Sequence, residues 1–480
     1  MQRLTGLDSA FLALETPRST GHVGGLSILD PSTAPERLDL ARLTEVIGER
    51  LPLVPVMRRR LHHVPFGLDQ PYWVDDEHFD IEYHVREIAL PRPGSDAQLC
   101  EQVSRLHARP LDRSRPLWES YLITGLAKKR VALYTKVHHA AIDGVSGAEL
   151  LTVLMDLSPQ GRPVPPSEPF DPASAPSRLE LGVRAIARLA LRPVQATKLA
   201  TDALRALPAL APALAPVVSG LVGRGRSADG EVIRGAPLIA PTTPLNTQIT
   251  AHRKFAFISL PLAEVKTVKN AFGVSVNDVV MAMCAGALRR WLLERNALPS
   301  APLVAMVPVS IRDASGKGAM GNKVSAMLAV LPTHIADPVE RLASAHQATQ
   351  IAKAQQAVIP QGLIDDITDF APPALTARAA RVVLSSSILS RLPPFNVVVS
   401  NVPGPNVPVY LAGAKLLAHY PLSVVLDGQG MNVTLIGYLG QLHFGLVAAR
   451  EVMPDIDVVA QSLRTELDHL LKAAHSMTAG

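Results

Sequence analysis

The stretch VALYTKVHHAAIDGVSGAELLTVLMDL, residues 131–157, governs the reading of the whole chain. VALYTKV, 131–137, is rich in β-branched and aromatic side chains and reads as a strand. AELLTVLMDL, 148–157, has the apolar spacing of a helix, and Ser146 with Glu149 has the spacing of a capping box. HHAAIDG, 138–144, therefore fills a strand-to-helix junction. A turn there can send His139 into a cavity and fold Asp143 back toward the scaffold, while Gly144 and Gly147 permit backbone paths that a side chain would obstruct.

A neutral histidine can take a proton from a hydroxyl nucleophile and later return it to a leaving group, because its ordinary pKa lies near neutrality. A hydroxyl attacking a thioester needs such a base, and the attack can be direct, without a serine or cysteine acyl-enzyme. The tetrahedral oxyanion then needs donors from backbone N–H groups or a polar side chain. Asp143 either orients His139 or pairs with a distant arginine to hold the loop. Adjacent histidines and an HxxxD spacing are, alone, as compatible with packed polar structure as with catalysis. Metal binding has little support, because no third ligand stands at a recognisable spacing and HEXXH is absent.

Outward from this junction, 480 residues of 48% hydrophobic composition are enough to bury the cores of two domains. Aromatics are only 4%, so the cores rest on aliphatic side chains, and 41 prolines with 31 glycines imply many fixed turns. A net charge of +5 with no basic tail gives no support to nucleic-acid binding. Cys100 and Cys284 are too few for a disulfide framework. The opening MQRLTGLDSAFLALE lacks the apolar core of a secretory signal, so a cytoplasmic protein is expected.

Three zones follow from composition. Residues 1–160 alternate strand-like runs (HVGGLSIL, PYWVDD) with helical ones (AQLCEQVSRLHA), the pattern of a mixed α/β domain. Residues 161–240 form a proline-rich and helical connector. Residues 241–480 return to α/β, with strands expected at HRKFAFISL, LVAMVPVSI, KVSAMLAVLP, FNVVVSN and VTLIGYLGQLHFGLVA. Helices are expected there at LAEVKTVKNAFG, SVNDVVMAMCAGALRRWLLERN, PVERLASAHQATQIAKAQQ and the C-terminal tail. Ser275 and Asn277 both offer starts for the second of these helices.

In the connector, Arg184, Arg188 and Arg192 share one helical face and Leu181, Ala185 and Leu189 another. That pattern, with the proline-broken apolar run ALPALAPALAPVVSGLVG at 206–223, suits either an interdomain connector packed on protein or peripheral contact with anionic lipid. The run is too short and too broken by Pro208, Pro212 and Pro216 for a comfortable transmembrane helix.

HHAAIDG resembles the HHxxxDG signature of the wax ester synthase/diacylglycerol acyltransferase family, within the CoA-dependent acyltransferase superfamily. The resemblance extends in order through LTGLDSAFLALE (4–15), PLWE (116–119), SVNDVV (275–280), VPVSIRD (307–313), GNKVS (321–325) and NVPGP (401–405), and so covers nearly the full chain. It implies two chloramphenicol-acetyltransferase-like α/β domains with an interdomain active-site tunnel. The implied reaction moves a long acyl chain from acyl-CoA, a co-substrate and not a bound cofactor, to diacylglycerol or a long-chain alcohol. His139 is then the general base, His138 supports the junction, Asp143 anchors the turn and Gly144 lets it approach substrate.

Asn277 either caps its helix or stabilises the reaction centre, and Asp278 organises the interdomain side. Arg312 either holds a loop or contacts acidic substrate groups. Trp118 either fills a core or meets substrate, and Asn401 and Gly404 either shape a sharp loop or contact substrate. The expected location is cytoplasmic, with possible peripheral contact at the inner face of the cell membrane or at lipid bodies. A standalone acyltransferase for a polyketide-like alcohol and a noncatalytic lipid-binding protein of the same fold are the alternatives.

Overall fold

The computed structural model describes residues 1–141, 153–164, 172, 175–177, 179–188, 239–311, 323–356 and 391–478. In the first part of the chain the elements are β1 (Gln2–Arg3), α1 (Gly6–Leu14), β2 (His22–Asp30), α2 (Leu40–Arg50), β3 (Arg59–His62) and β4 (Tyr72–Asp75). They continue with α3 (Ile81–His84), β5 (Val85–Ala89), α4 (Asp96–His107), β6 (Trp118–Thr124) and β7 (Val131–His138). The second part holds β8 (Arg253–Pro261), α5 (Leu262–Phe272), α6 (Val276–Leu293), β9 (Leu303–Ile311), β10 (Lys323–Leu331) and α7 (Pro338–Gln356). After these come β11 (Val397–Val402), β12 (Tyr410–Leu411), β13 (Ala414–Leu422), β14 (Met431–Tyr438), β15 (Gln441–Ala449) and α8 (Ile456–Thr478). The α/β class and the strands and helices quoted above for residues 241–480 are found where the periodicity places them.

Two six-stranded sheets carry the architecture, in the orders β12-β13-β2-β7-β6-β5 and β10-β9-β11-β14-β15-β8. Pairing is antiparallel except for β5 with β6 in the first sheet and for β11 with its two neighbours, β9 and β14, in the second. Along β7 the two-residue alternation sends Leu133 and Val137 into a core with Trp118, Leu122 and the α2 residues Leu43 and Ile47. Ala132 and Tyr134, on the opposite face, join a core shared with Phe255, Leu422 and Val433 of the second part.

Beyond this shared core, two exchanges join the halves. Helix α4 packs on β8. Strand β13, from the second part, pairs antiparallel with β2 from Lys415 opposite Asp30 to Leu422 opposite Gly24, so residues beyond 240 complete the first sheet. This was not anticipated: no strand was expected at 414–422, and the alternation that β13 shows in its burial does not name a partner. The crossing strand lies tight against β15, where a Cβ on Gly445 would stand 1.8 Å from the Pro421 carbonyl oxygen.

A small sheet, ordered β1-β4-β3, is covered by a helical stretch at 179–188. Leu181 and Ala185 pack there on Val64, Tyr72 and Val74, the connector reading of this face. Arg184 and Arg188 are partly exposed and lie 2.7 Å from Glu180 and 3.6 Å from the buried Asp69. Arg192, the run at 206–223 and the capping-box pair Ser146 and Glu149 lie outside the described residues.

Candidate active site

His138 closes β7 opposite His22 of β2 and is 1% exposed. Its Nδ1 accepts the backbone N–H of Ala140 at 3.1 Å, which puts its proton on Nε2. That Nε2 faces Glu15 Oε1 at 3.2 Å. Glu15 follows the end of α1 and also accepts the Gly21 N–H at 2.6 Å on the same oxygen. Its other oxygen accepts from Nε of Arg113 at 2.9 Å and from a terminal nitrogen of the same guanidinium, which also donates to the Leu12 carbonyl at 2.6 Å.

Burial would raise the Glu15 carboxyl, but the His138 contact, the Gly21 N–H and the Arg113 charge outweigh it and hold the pKa down to about 2. Gly21 is required here because a Cβ would sit 2.8 Å from His138 Nε2.

His139 is placed differently. Its backbone N–H donates to the Gly21 carbonyl at 2.9 Å, and its half-buried ring stacks on Phe11 of α1, with centroids 3.9 Å apart and planes 19° apart. Helix α1 and the residue that follows it therefore touch both histidines, Phe11 through its ring and Glu15 through its carboxylate.

The same inner face of the sheet carries buried charge. Lys136 is fully buried, donates to the Leu106 and Arg109 carbonyls at 3.2 and 2.8 Å, and lies 3.2 Å from Glu119. Burial lowers the Lys136 pKa, with Glu119 opposing. Tyr121 donates to Glu119 at 2.7 Å, and the Tyr134 hydroxyl lies 2.8 Å from Nδ1 of His107, a ring that burial holds neutral with a pKa of about 3.

Sequence reasoning missed Glu15, Phe11, Gly21 and Arg113 as partners of the motif. The available signal was the i,i+4 spacing of Phe11 and Glu15, which puts them on one side of α1.

The remaining candidates divide. Trp118 begins β6, is 1% exposed, donates its indole N–H to the Met57 carbonyl at 2.8 Å and stacks on His84. Only about 10 Å³ is empty beside it, room for a single water at most, so it fills the core. Ser275, not Asn277, caps α6, exchanging bonds of 3.2 and 2.9 Å with Asp278. The partly exposed Asn277 amide makes no hydrogen bond among the described residues, which leaves it available.

Asn401 is exposed on β11. Gly404 follows where a Cβ would meet the Gly437 carbonyl oxygen at 2.1 Å, so close packing on β14 explains this glycine. Asp143, Gly144 and Arg312 lie outside the described residues. Burial pushes the thiols of Cys100 and Cys284 up to about 12, leaving neither as a thiolate near neutrality. Among the described residues no cluster of histidine, cysteine and carboxylate side chains has the makings of a metal site.

Comparison with known proteins identifies the family. Residues 4–280 match the wax ester synthase/diacylglycerol acyltransferase catalytic domain and residues 320–471 the C-terminal domain of the same family. A protein of Mycobacterium tuberculosis named "probable diacylglycerol O-acyltransferase" is 37% identical over 467 residues, 97% of this chain and 98% of its own length. The solved wax ester synthase/diacylglycerol acyltransferase of Marinobacter aquaeolei VT8 is 32% identical, covers 99% of this chain and all of its own, and superposes with a TM-score of 0.70. The first condensation domain of the calcium-dependent antibiotic synthetase, 16% identical over 98% of this chain and 97% of its own, with a TM-score of 0.54, shares the fold alone. With a histidine junction of this geometry and family matches over both parts, the chain belongs to the wax ester synthase/diacylglycerol acyltransferase family.

Proposed function

We propose that the protein carries a long acyl chain from acyl-CoA directly to the hydroxyl of diacylglycerol or of a long-chain alcohol, with His139 as the general base. The acyl-CoA-dependent O-acyltransfer itself goes with membership of the family. The observation that carries the choice of base is the contrast between neighbours. Nδ1 of His138 accepts the Ala140 N–H, its Nε2 stands 3.2 Å from the Glu15 carboxylate, and that ring is sealed from solvent. His139 is half-buried, with one face of its ring stacked on Phe11.

In the step itself, His139 takes the proton of the acceptor hydroxyl as its oxygen bonds to the thioester carbonyl carbon. The oxyanion collapses, the carbon–sulfur bond breaks, and the proton passes from His139 to the departing CoA sulfur. The raised thiols of half-buried Cys100 and buried Cys284 support direct transfer over an acyl-cysteine route. Asn277, free of capping duty, is assigned to the oxyanion or to the incoming hydroxyl. Asp143 is assigned to hold the turn, Gly144 to let it close on substrate, and Arg312 and Asn401 to the walls of an interdomain tunnel. The thioester enters that tunnel from one side and the lipid from the other.

Diacylglycerol ranks first because the mycobacterial relative is named for it. The test pairs long-chain acyl-CoA with diacylglycerol and, separately, with a long-chain alcohol, following ester and free CoA. Ester from at least one acceptor, with no acylated protein when the acceptor is omitted, is expected. Turnover on a polyketide-like alcohol alone, or a competent acyl-protein, refutes the reading.

Peripheral contact with a membrane is the second part of the proposal. Leu179, Val183 and Ile186 are 78%, 61% and 61% exposed on the stretch whose other face packs inward, and Phe66, in the turn between β3 and β4, is 91% exposed. With Arg184 and Arg188 beside them, they suit an anionic lipid surface. No single described helix is long and apolar enough to cross a membrane, and the bent pair α5–α6, which passes by length and composition, is largely core.

A further inference from the structure

We propose that Glu15, braced by Arg113, is a positioning residue for acyl transfer: it holds the His138 ring in one tautomer and orientation, and through that ring the turn that presents His139. The inference rests on His139 being the base. Its ground is the convergence of bonds on one carboxylate. Glu15 accepts the Gly21 N–H at 2.6 Å, while the Gly21 carbonyl accepts the His139 N–H at 2.9 Å. Glu15 also meets His138 Nε2 at 3.2 Å, while His138 Nδ1 accepts the Ala140 N–H at 3.1 Å. The two chains of contact run from the same carboxylate, one to the N–H of His139 itself and the other to its neighbours His138 and Ala140, and so hold its backbone.

The logic of the tautomer is strict. Nδ1 of His138 can accept from Ala140 only while it carries no proton, and the charge of the Glu15 carboxylate, 3.2 Å from Nε2, favours the proton there. Without the carboxylate, the Nδ1–H form is as available, and that form repels the Ala140 N–H and releases the turn. Arg113 keeps Glu15 in place with two bonds and ties the same guanidinium to the Leu12 carbonyl at the end of α1. The low pKa of Glu15, about 2, keeps the carboxylate ionised throughout the working range of a histidine base. Since Glu15 is 14% exposed and bonded on both oxygens, this is not a loose surface pair.

The experiment compares Glu15→Ala and Glu15→Gln with wild type in the full chain. Glu15→Ala is expected to lower kcat by about 10- to 100-fold, the scale of a misaimed catalytic group, with KM for acyl-CoA changed less than about twofold. Glu15→Gln, whose amide oxygen can still accept from Gly21 and His138, is expected to recover much of that loss. Selective nitrogen-15 labelling of histidine is expected to show His138 as the Nε2–H tautomer in wild type and as a mixture in Glu15→Ala. This signal is independent of which histidine is the base, so it separates failure of the proposal from failure of the base assignment. An unchanged kcat in Glu15→Ala overturns the proposal, and so does an unchanged His138 tautomer. If Glu15→Ala does not fold, the better-tolerated Glu15→Gln decides by the same two readouts against Arg113→Ala, which removes the brace but leaves the carboxylate.

Discussion

Nδ1 of His346 lies 2.8 Å from Oδ2 of Asp278, tying the middle of α7 to the first turn of α6. The same carboxylate closes the capping box with Ser275, so one side chain secures the helix start beside Asn277 and the neighbouring helix. Burial raises the Asp278 carboxyl, but the bonds from His346 and Ser275 outweigh it, and its pKa falls below the usual range. Asp278→Ala should therefore lose a cap and a charge-assisted bond, together about 2–4 kcal/mol. Because the folded pKa is the lower one, the advantage of wild type over Asp278→Asn is present above the unfolded value, about 3.9, and is lost as the pH falls through the folded one. Thermal unfolding of the pair at pH 6 and at pH 3 measures this, and the gap should narrow in acid.

His139→Ala should leave a folded protein whose turnover falls by about 10²- to 10⁴-fold, the usual contribution of a positioned base. His138→Ala should act on stability as well, since it strands the carboxylate of Glu15 beside Arg113 and frees the Ala140 N–H. Steady-state rates and denaturant unfolding of the two variants test the division. Near-normal turnover in His139→Ala with none in His138→Ala would reverse the roles.

Gly404→Ala should destabilise the protein by about 1–3 kcal/mol, because the added methyl carbon meets backbone at the Gly437 carbonyl, where no side chain can swing aside. KM for both substrates should be unchanged in the folded fraction. A specific rise in the acceptor KM at unaltered stability would return Gly404 to the substrate wall.

Replacing Phe66, Val183 and Ile186 together by serine should reduce co-flotation with vesicles containing phosphatidylglycerol, leaving turnover on a short, soluble acceptor alcohol intact. Raised salt should weaken the wild-type interaction only in part, since the apolar contribution is not screened. Equal flotation of both proteins would assign this corner to ordinary solvent-exposed structure.

How much of this was legible in the sequence depended on the distance over which each feature is decided. VALYTKV and HRKFAFISL announce strands through their own β-branched and aromatic side chains, and the Ser275 box stands within four residues. The choice of His139 over His138 came from resemblance. The setting of His138 could not be read there, because its Nε2 stands against Glu15, more than a hundred residues away in the chain. Trp118 and Gly404 belong to the motifs that carried the resemblance, yet their surroundings are core contacts, which a motif does not distinguish from substrate contacts. The spacing put Arg184 and Arg188 on one face of 179–188, but the exposure of the apolar side chains at 179, 183 and 186 was not legible, because the outward and inward sides of a short helix differ only by what packs on it.

The loan of β13 to the first sheet has a consequence for biosynthesis. Strand β2 can pair with β7 once residue 138 has emerged, but its other edge has no neighbour until residue 422 is made. At ordinary rates of translation the ribosome takes roughly 15–60 s to cover that interval. Throughout it, the hydrogen-bonding groups of β2 along Gly24 to Asp30 stand open as a template for another nascent chain. The newborn protein thus needs either a chaperone or a provisional cover for that edge, and polypeptides truncated before residue 414 should be recovered as aggregates, not as a free N-terminal domain.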